Sequence, residues 1–328
     1  MKKVLFATTA LMATATVASA DIANIRMSGY GRFGLGYLED RELNGGDAGV
    51  SDTILVHRFR LNIDAVAESD GGVEFSGRVR LQADEDADSG EANAAGLNGA
   101  RFTVAYGGLR VDVGNVAGAI DNLANYYGNE PGLENFVGQY SAVDYSFMGY
   151  SSTGAGSNGV FFNYAVGDFG FAASYDENSA PIDADNRGDR WDLSATYSFN
   201  NITAAIAYGE NDANEELLVL TLGGDWGPFS GTLFVGDETV TDATGTTEDA
   251  SRSDTFYGVS AAYEVGAATT VTFAYGDGSG DADERHVGLG FIHDLGGGTS
   301  LRGGIGSIDP GTAGDDYLRA DFGARFDF

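Results

Sequence analysis

Cysteine is absent from this 328-residue chain, proline occurs four times, and lysine only at positions 2 and 3. Without cysteine, no disulfide can staple the fold even in an oxidising compartment. Stability has to come from extensive pairing, burial or bound divalent cations. Cations are scarce as a class: 18 Lys and Arg face 49 Asp and Glu, a formal charge of −31. That balance excludes nucleic acid as a partner, because nothing neutralises a phosphate backbone. No apolar run beyond residue 20 approaches the roughly 20 residues that a spanning helix needs.

What is present begins with MKKVLFATTALMATATVASA. Lys2 and Lys3 form a basic head, an apolar run follows to about Val17, and Ala18-Ser19-Ala20 is a small-x-small cleavage site. These features predict a secretory signal peptide over 1–20, with a mature chain over 21–328. The threonines at 8, 9, 14 and 16 break the run and argue against a membrane anchor.

The rest of the chain, with 50 Gly, 20 Phe and 16 Tyr, alternates. In 25–38, Ile25, Met27, Phe33, Leu35 and Tyr37 share one parity, and Arg26, Ser28, Tyr30 and Arg32 the other. In 55–65, Leu55, Phe59, Leu61 and Ile63 oppose Arg58, Arg60, Asn62 and Asp64. In 73–84, Val73, Phe75, Val79 and Leu81 oppose Glu74, Arg78, Arg80 and Gln82. Period-two alternation is the signature of strands with one apolar and one polar face. Continued to the C-terminus, the pattern predicts sixteen strands, and the even count puts both termini at one end. Short turns such as Gly107-Gly108 alternate with long acidic loops such as 39–52, 85–97 and 237–253. A soluble β-sandwich also alternates. Export, strands of about ten residues, and short turns opposite long loops favour an all-β transmembrane 16-stranded antiparallel β-barrel instead.

On these features the mature chain resembles the sixteen-stranded general diffusion porins of purple non-sulfur α-proteobacteria. The alternating strands, the terminal Phe328, and GGLRVDVGNVAGAIDNL (107–123) leading into one long loop carry the resemblance. It implies a homotrimer in the cell outer membrane, passing small hydrophilic solutes. It also implies that the loop after the fifth strand, here about 115–158, folds inward and constricts the barrel, and that a terminal aromatic strand (Phe326, Phe328) is read by the outer-membrane assembly machinery.

A loop of some forty residues is improbable in a compact fold unless it is functional. Its start, VAGAIDNLANYYG, is compatible with a short helical turn, and Pro131-Gly132 is turn chemistry. Parity directs Arg26, Arg32, Arg58, Arg60, Arg78, Arg80, Arg101 and Arg110 to the polar face of the first five strands, forming a basic wall. Asp112, on the strand just before the loop, and Asp121, Glu130, Glu134 and Asp144 within it are the candidate acidic side of the constriction. Opposed charges in a narrow aqueous channel set up a transverse field and bias ion passage. Guanidinium holds its charge at any ordinary pH. The expected behaviour is passive diffusion with a weak preference for cations. A substrate-specific channel with an aromatic slide (Tyr126, Tyr127, Phe136) and a plugged barrel acting as adhesin or structural surface protein are the alternatives.

Catalysis is not expected: His57 has lipid-facing parity, His293 sits beside a short turn, and His286 is the lumenal histidine. YGDGSGDADE (275–284) partly matches a calcium loop, without the flanking helices of an EF-hand. No cofactor is required. Structural Ca²⁺ in the acidic loops, or divalent bridging to lipopolysaccharide, is an expectation without assigned ligands. Aromatics at strand ends, among them Tyr37, Trp191, Tyr197, Trp226 and Tyr263, suit interfacial girdles.

Overall fold

The computed structural model describes residues 24–178, 180–183, 186–278, 284–311 and 314–328. The leader over 1–20 and residues 279–283 of the 275–284 acidic loop lie outside the described residues. The elements are β1 (Ile25–Leu38), β2 (Thr53–Glu68), β3 (Glu74–Asp84), β4 (Gly96–Leu97), β5 (Arg101–Tyr106), β6 (Leu109–Gly114), β7 (Gly159–Val166), β8 (Phe169–Asp176) and β9 (Arg190–Phe199). They continue with β10 (Ile202–Asn211), β11 (Glu216–Trp226), β12 (Phe229–Thr239), β13 (Asp254–Glu264), β14 (Thr269–Gly278), β15 (Glu284–Gly296), β16 (Thr299–Asp309) and β17 (Tyr317–Asp327). Both β4 and β5 pair with β3, so they are two pieces of one stave, and the barrel has sixteen.

Every stave pairs antiparallel with its sequence neighbours, and β1 closes on β17 from Tyr30↔Asp327 to Leu38↔Arg319. Closure leaves no unpaired edge, the condition for strands to stand in lipid. The short turns follow from local chemistry. Gly107 (φ 59°) and Asn200 (φ 54°) occupy the left-handed region that a tight hairpin demands, and Gly and Asn are the residues that tolerate it.

The alternation read from sequence maps onto the two faces of the wall. Phe33, Leu55, Phe102, Leu233, Leu289 and Ile305 stand exposed on the outside. The last strand is a closed seam. The Phe328 and Gly29 backbones exchange hydrogen bonds of 3.0 and 2.8 Å. The Phe328 ring stacks on Phe59 at 5.7 Å and on Phe326 at 6.0 Å. A Cβ on Gly31 would meet the Phe326 ring at 2.3 Å, so glycine in β1 is the recess that receives the C-terminal aromatic.

The most buried large side chains lie inside the barrel, where residues 115–158 fold inward. Ile120, Leu123, Tyr126, Ala142 and Tyr145 of this loop pack on Ala205, Ala207, Leu217, Val219, Phe234 and Phe256 of β10–β13. Val116, Ala119 and Met148 pack on Phe161 of β7, and Leu133 packs on Ile54 and Val56 of β2. Burying an aromatic ring the size of that of Tyr126 is worth about 1.5–3 kcal/mol, offset in part by its hydroxyl, which is buried with no hydrogen-bond partner among the described residues. At the start of the loop one helical turn closes, with Asn122 N–H donating to Gly118 O at 3.1 Å, but it does not extend into an α-helix. Isolated turns follow instead, such as Leu123 N–H to Ile120 O at 2.9 Å, because Asn125 (φ 63°) and Gly128 (φ 63°) cannot propagate a right-handed helix.

Candidate functional site: the constriction inside the barrel

Wall carboxylates and hydroxyls hold the loop by its backbone. The Asp321 carboxylate of β17 accepts from Leu133 N–H at 2.9 Å and Glu134 N–H at 2.8 Å. The Glu238 carboxylate of β12 accepts from Tyr145 N–H at 2.8 Å and Asp144 N–H at 3.1 Å. Ser174 of β8 accepts from Ala119 N–H at 2.8 Å and donates to Asp192 of β9 at 2.9 Å. Ser260 of β13 accepts from Asn129 N–H at 2.8 Å. Charged acceptors are the stronger hydrogen-bond partners, and each satisfies a loop amide away from bulk water.

Glycine lets the loop lie this close. Inward positions on consecutive staves carry Gly258, Gly276, Gly288, Gly290, Gly304, Gly306, Gly323 and Gly34, with cross-strand pairs at Gly258↔Gly276, Gly290↔Gly304, Gly288↔Gly306 and Gly34↔Gly323. A Cβ on Gly258 would meet the Gln139 carbonyl at 2.0 Å, and one on Gly290 would meet Gly132 N at 2.8 Å. The loop backbone therefore rests in a glycine band running from β13 round to β1.

The facing wall carries the arginines of β1–β6. Arg58 pairs with Asp84 at 3.0 Å, Arg78 holds both oxygens of Asp64 at 2.6 and 3.0 Å, and Arg110 reaches Asp112 at 2.5 Å. Arg26 lies in register opposite Asp64, near the short-turn end. Arg32 is buried and bridges wall to loop, reaching the Leu133 carbonyl at 3.0 Å and Glu134 at 3.3 Å. Arg60 and Arg80 have only neutral hydrogen-bond partners among the described residues. Arg60 donates to Gln82 at 2.6 Å, Arg80 to Asn62 at 2.9 Å, and both to the Ser152 hydroxyl, at 3.4 and 2.8 Å. Arg101 is half-buried beside Asp112 and Arg78, and its Nε has no hydrogen-bond partner among the described residues.

The acidic candidates do not gather at one place. Glu134 meets the arginine wall through Arg32. Burial raises its pKa, against the opposing pull of Arg32 and Arg319. Glu130 accepts from Tyr140 at 2.6 Å and Asn135 at 3.1 Å, and burial raises it too. Asp121 takes the Tyr127 hydroxyl, and burial, followed by the charge of Asp192, pushes it up to about 6. Asp144 sits at the long-loop end, paired with Arg252 at 3.2 Å, away from the arginine wall. Asp112 belongs to the wall: it is buried on β6 and bonded to Arg110 and Thr103.

Three further arginines complete the wall. Arg325 of β17 lies in register with Arg32, and Arg32 with Arg58, so three adjacent staves carry a row of guanidiniums. Tyr30 lies between Arg325 and Arg60, whose guanidinium carbons stand 4.1 and 5.2 Å from its ring centre. Arg302 of β16 donates to Ser300 at 3.1 Å, and Arg319 of β17 covers Phe136 at 5.5 Å. Their parity is legible in the sequence; that β16 and β17 adjoin β1 follows from barrel closure. The loop aromatics form no continuous slide: Tyr126 is buried in the docking cluster and Phe136 lies under Arg319, whereas Tyr127 is exposed. The histidines stand apart: His286 pairs with Glu284 at 3.1 Å, His293 with Thr269 at 2.8 Å, and the His57 backbone with Glu85. Among the described residues, no three His, Asp or Glu are grouped so as to hold a metal ion.

Known proteins converge on the same architecture. A family model described as Gram-negative porin matches residues 7–312. A porin of Fuscovulum blasticum is 30% identical over 311 residues, spanning 93% of this chain and 100% of that protein. A porin of Rhodobacter capsulatus is 25% identical over 323 residues, again spanning 93% and 100%. A solved mutant of Rh. blastica porin superposes with a TM-score of 0.76 at 27% identity, covering 93% of this chain and all of that one.

Proposed function

The chain belongs to the Gram-negative porin family, and from that premise we propose that it is a water-filled diffusion channel for small hydrophilic solutes and ions, weakly selective for cations and homotrimeric. The family and the barrel imply a channel protein of the outer membrane. The single observation that carries the open-channel reading is the exposure of the arginine wall. Arg58, Arg78 and Arg110 point into the barrel, yet their side chains keep 26, 29 and 36% of their accessible surface. A plugged lumen would bury them. The loop instead spends its apolar surface on the opposite wall, leaving water beside the guanidiniums.

Charge sets the selectivity. The formal charge of −31 concentrates cations around the protein, while the local arginine wall opposes them, so a weak preference remains. Leader cleavage after Ala20, recognition of Phe328 by the assembly machinery, and contact with lipopolysaccharide through divalent cations on the acidic loops belong to the same proposal. Liposome swelling with sugars of graded size tests the open channel: a sharp size cut-off supports it, and no swelling above empty vesicles refutes it. The zero-current potential across a salt gradient tests the sign, and anion preference would refute the cation reading.

A further inference from the structure

The arginine wall is not uniform. Arg32, Arg58, Arg78 and Arg110 each have a carboxylate within ion-pair distance; Arg60 and Arg80 do not, among the described residues. These two guanidiniums, on adjacent staves β2 and β3, converge on a single neutral oxygen, the Ser152 hydroxyl, which comes from the returning limb of the loop. Their Nε–H groups are occupied by the side-chain carbonyls of Gln82 and Asn62, at 2.6 and 2.9 Å, which fixes both planes and leaves terminal N–H groups aimed at the Ser152 position. The Tyr150 ring backs Arg80 at 5.6 Å, and the Tyr30 ring backs Arg60 at 5.2 Å.

Two like charges at one hydroxyl repel each other, and a hydroxyl compensates neither. An oxyanion would compensate both, through the forked, charge-assisted hydrogen bonds that guanidinium makes best. We propose that Arg60 and Arg80, with Ser152 marking the position of the anion oxygen, form a docking station for a tetrahedral dianion of the phosphate or sulfate class inside the channel. This rests on the open-channel reading and deepens it: the pore handles monovalent ions by diffusion and phosphoryl or sulfuryl solutes by a saturable encounter. Bound dianion cancels the charge of the two free guanidiniums, so occupancy makes the channel more cation-selective.

Inorganic phosphate is the probe. The K⁺ over Cl⁻ permeability ratio of the refolded full-length barrel is measured in planar bilayers at constant ionic strength while phosphate replaces chloride. The expected result is a ratio that rises and saturates. In Arg60→Gln and Arg80→Gln the half-saturating phosphate rises about ten-fold or more, the scale set by losing one charged hydrogen-bond donor. Arg285→Gln, which removes a charge from the rim (Arg285 pairs there with Asp309), leaves it unchanged. If a glutamine variant fails to insert, Arg80→Lys keeps the charge, loses the fork and should show the same loss. A channel that conducts but answers phosphate linearly, or identically in all variants, overturns the docking station and leaves the pore standing. A barrel that does not conduct overturns both.

Discussion

Adding one methyl group at Gly258 tests how the loop is seated. The Cβ of Gly258→Ala would lie 2.0 Å from the Gln139 carbonyl oxygen, 2.7 Å from its carbon and 2.9 Å from its Cβ. Ordinary contact begins near 3.4 Å, so something must retreat by more than an ångström. The wall cannot: β13 is hydrogen-bonded along its length to β12 and β14, with Gly258 in register between Phe234 and Gly276. The loop must, and Gln139 does not move alone. Its amide donates to the Asn125 and Tyr126 carbonyls at 2.6 and 2.9 Å, so the displacement carries the Tyr126 end of the docking cluster toward the lumen. Overpacking of this kind costs about 1–3 kcal/mol. Expected are a lower melting temperature, a smaller single-channel conductance, and a swelling rate that falls more steeply for large sugars than for small ones. Gly266→Ala is the control, because a Cβ there meets nothing within 4 Å. A Gly258→Ala channel with wild-type conductance and stability would refute the idea that the glycine band seats the loop.

Other consequences follow from the same contacts. Asp321→Ala strands the buried Leu133 and Glu134 amides at about 1–3 kcal/mol each, and hydrogen exchange at those two positions should accelerate; unchanged protection would count against the anchor. Asp121 sits near 6, and burial raises Glu130 and Glu134 as well, so as pH falls through about 6 the loop takes up a proton at Asp121 while the arginines stay charged. Cation over anion permeability should therefore fall with pH, and the zero-current potential reads it; a flat or rising ratio contradicts the assignment. The raised pKa of Asp121 also means that the folded state binds its proton more tightly than the unfolded one, so its contribution to stability declines as pH climbs from about 4 to about 6. Gly31→Val would drive a side chain into the Phe326 ring, and deleting Phe328 removes the backbone pair to Gly29. Both should cut the yield of inserted barrel while leaving the conductance of whatever inserts near wild type, a split readable from heat-modifiable gel mobility against bilayer recordings.

The staves were legible because lipid and water impose a period of two on each strand, and that period survives without any knowledge of neighbours. Boundaries moved by no more than three residues, with β1 unchanged at 25–38, and the fourth stave is interrupted at 98–100, between β4 and β5. The arginine wall was legible for the same reason, since parity alone sends Arg32, Arg58, Arg60 and Arg80 inward. The seating of the loop was not, because it depends on which staves stand across the lumen. Asp321 and Glu238 read as ordinary inward acids, and nothing nearby in sequence announces the amides they accept. Two signals were nevertheless present. In β11, Leu217 and Val219 are as apolar as Leu218 and Leu220, so both faces of the strand are greasy, which a water-lined wall does not permit. Glycine recurs at inward positions on successive staves, at 258, 276, 288, 290, 304 and 306, where a polar lining residue would otherwise stand.

The two signals divide the barrel by material. Where inward residues are glycine or aliphatic, the wall is a bed for protein; where they are arginine, it is left to water. The loop needs both halves. Its apolar side chains and backbone go to the first, through the clusters around Tyr126 and Leu133, and the ion pair of Glu134 with Arg32 marks the line where the second begins. Arginine suits that second half because a desolvated lysine sheds its proton far more readily, and a wall that lost charge as the loop approached would lose the field it exists to supply. Beyond Lys2 and Lys3 the chain contains no lysine, so every permanent cation available to the lumen is an arginine.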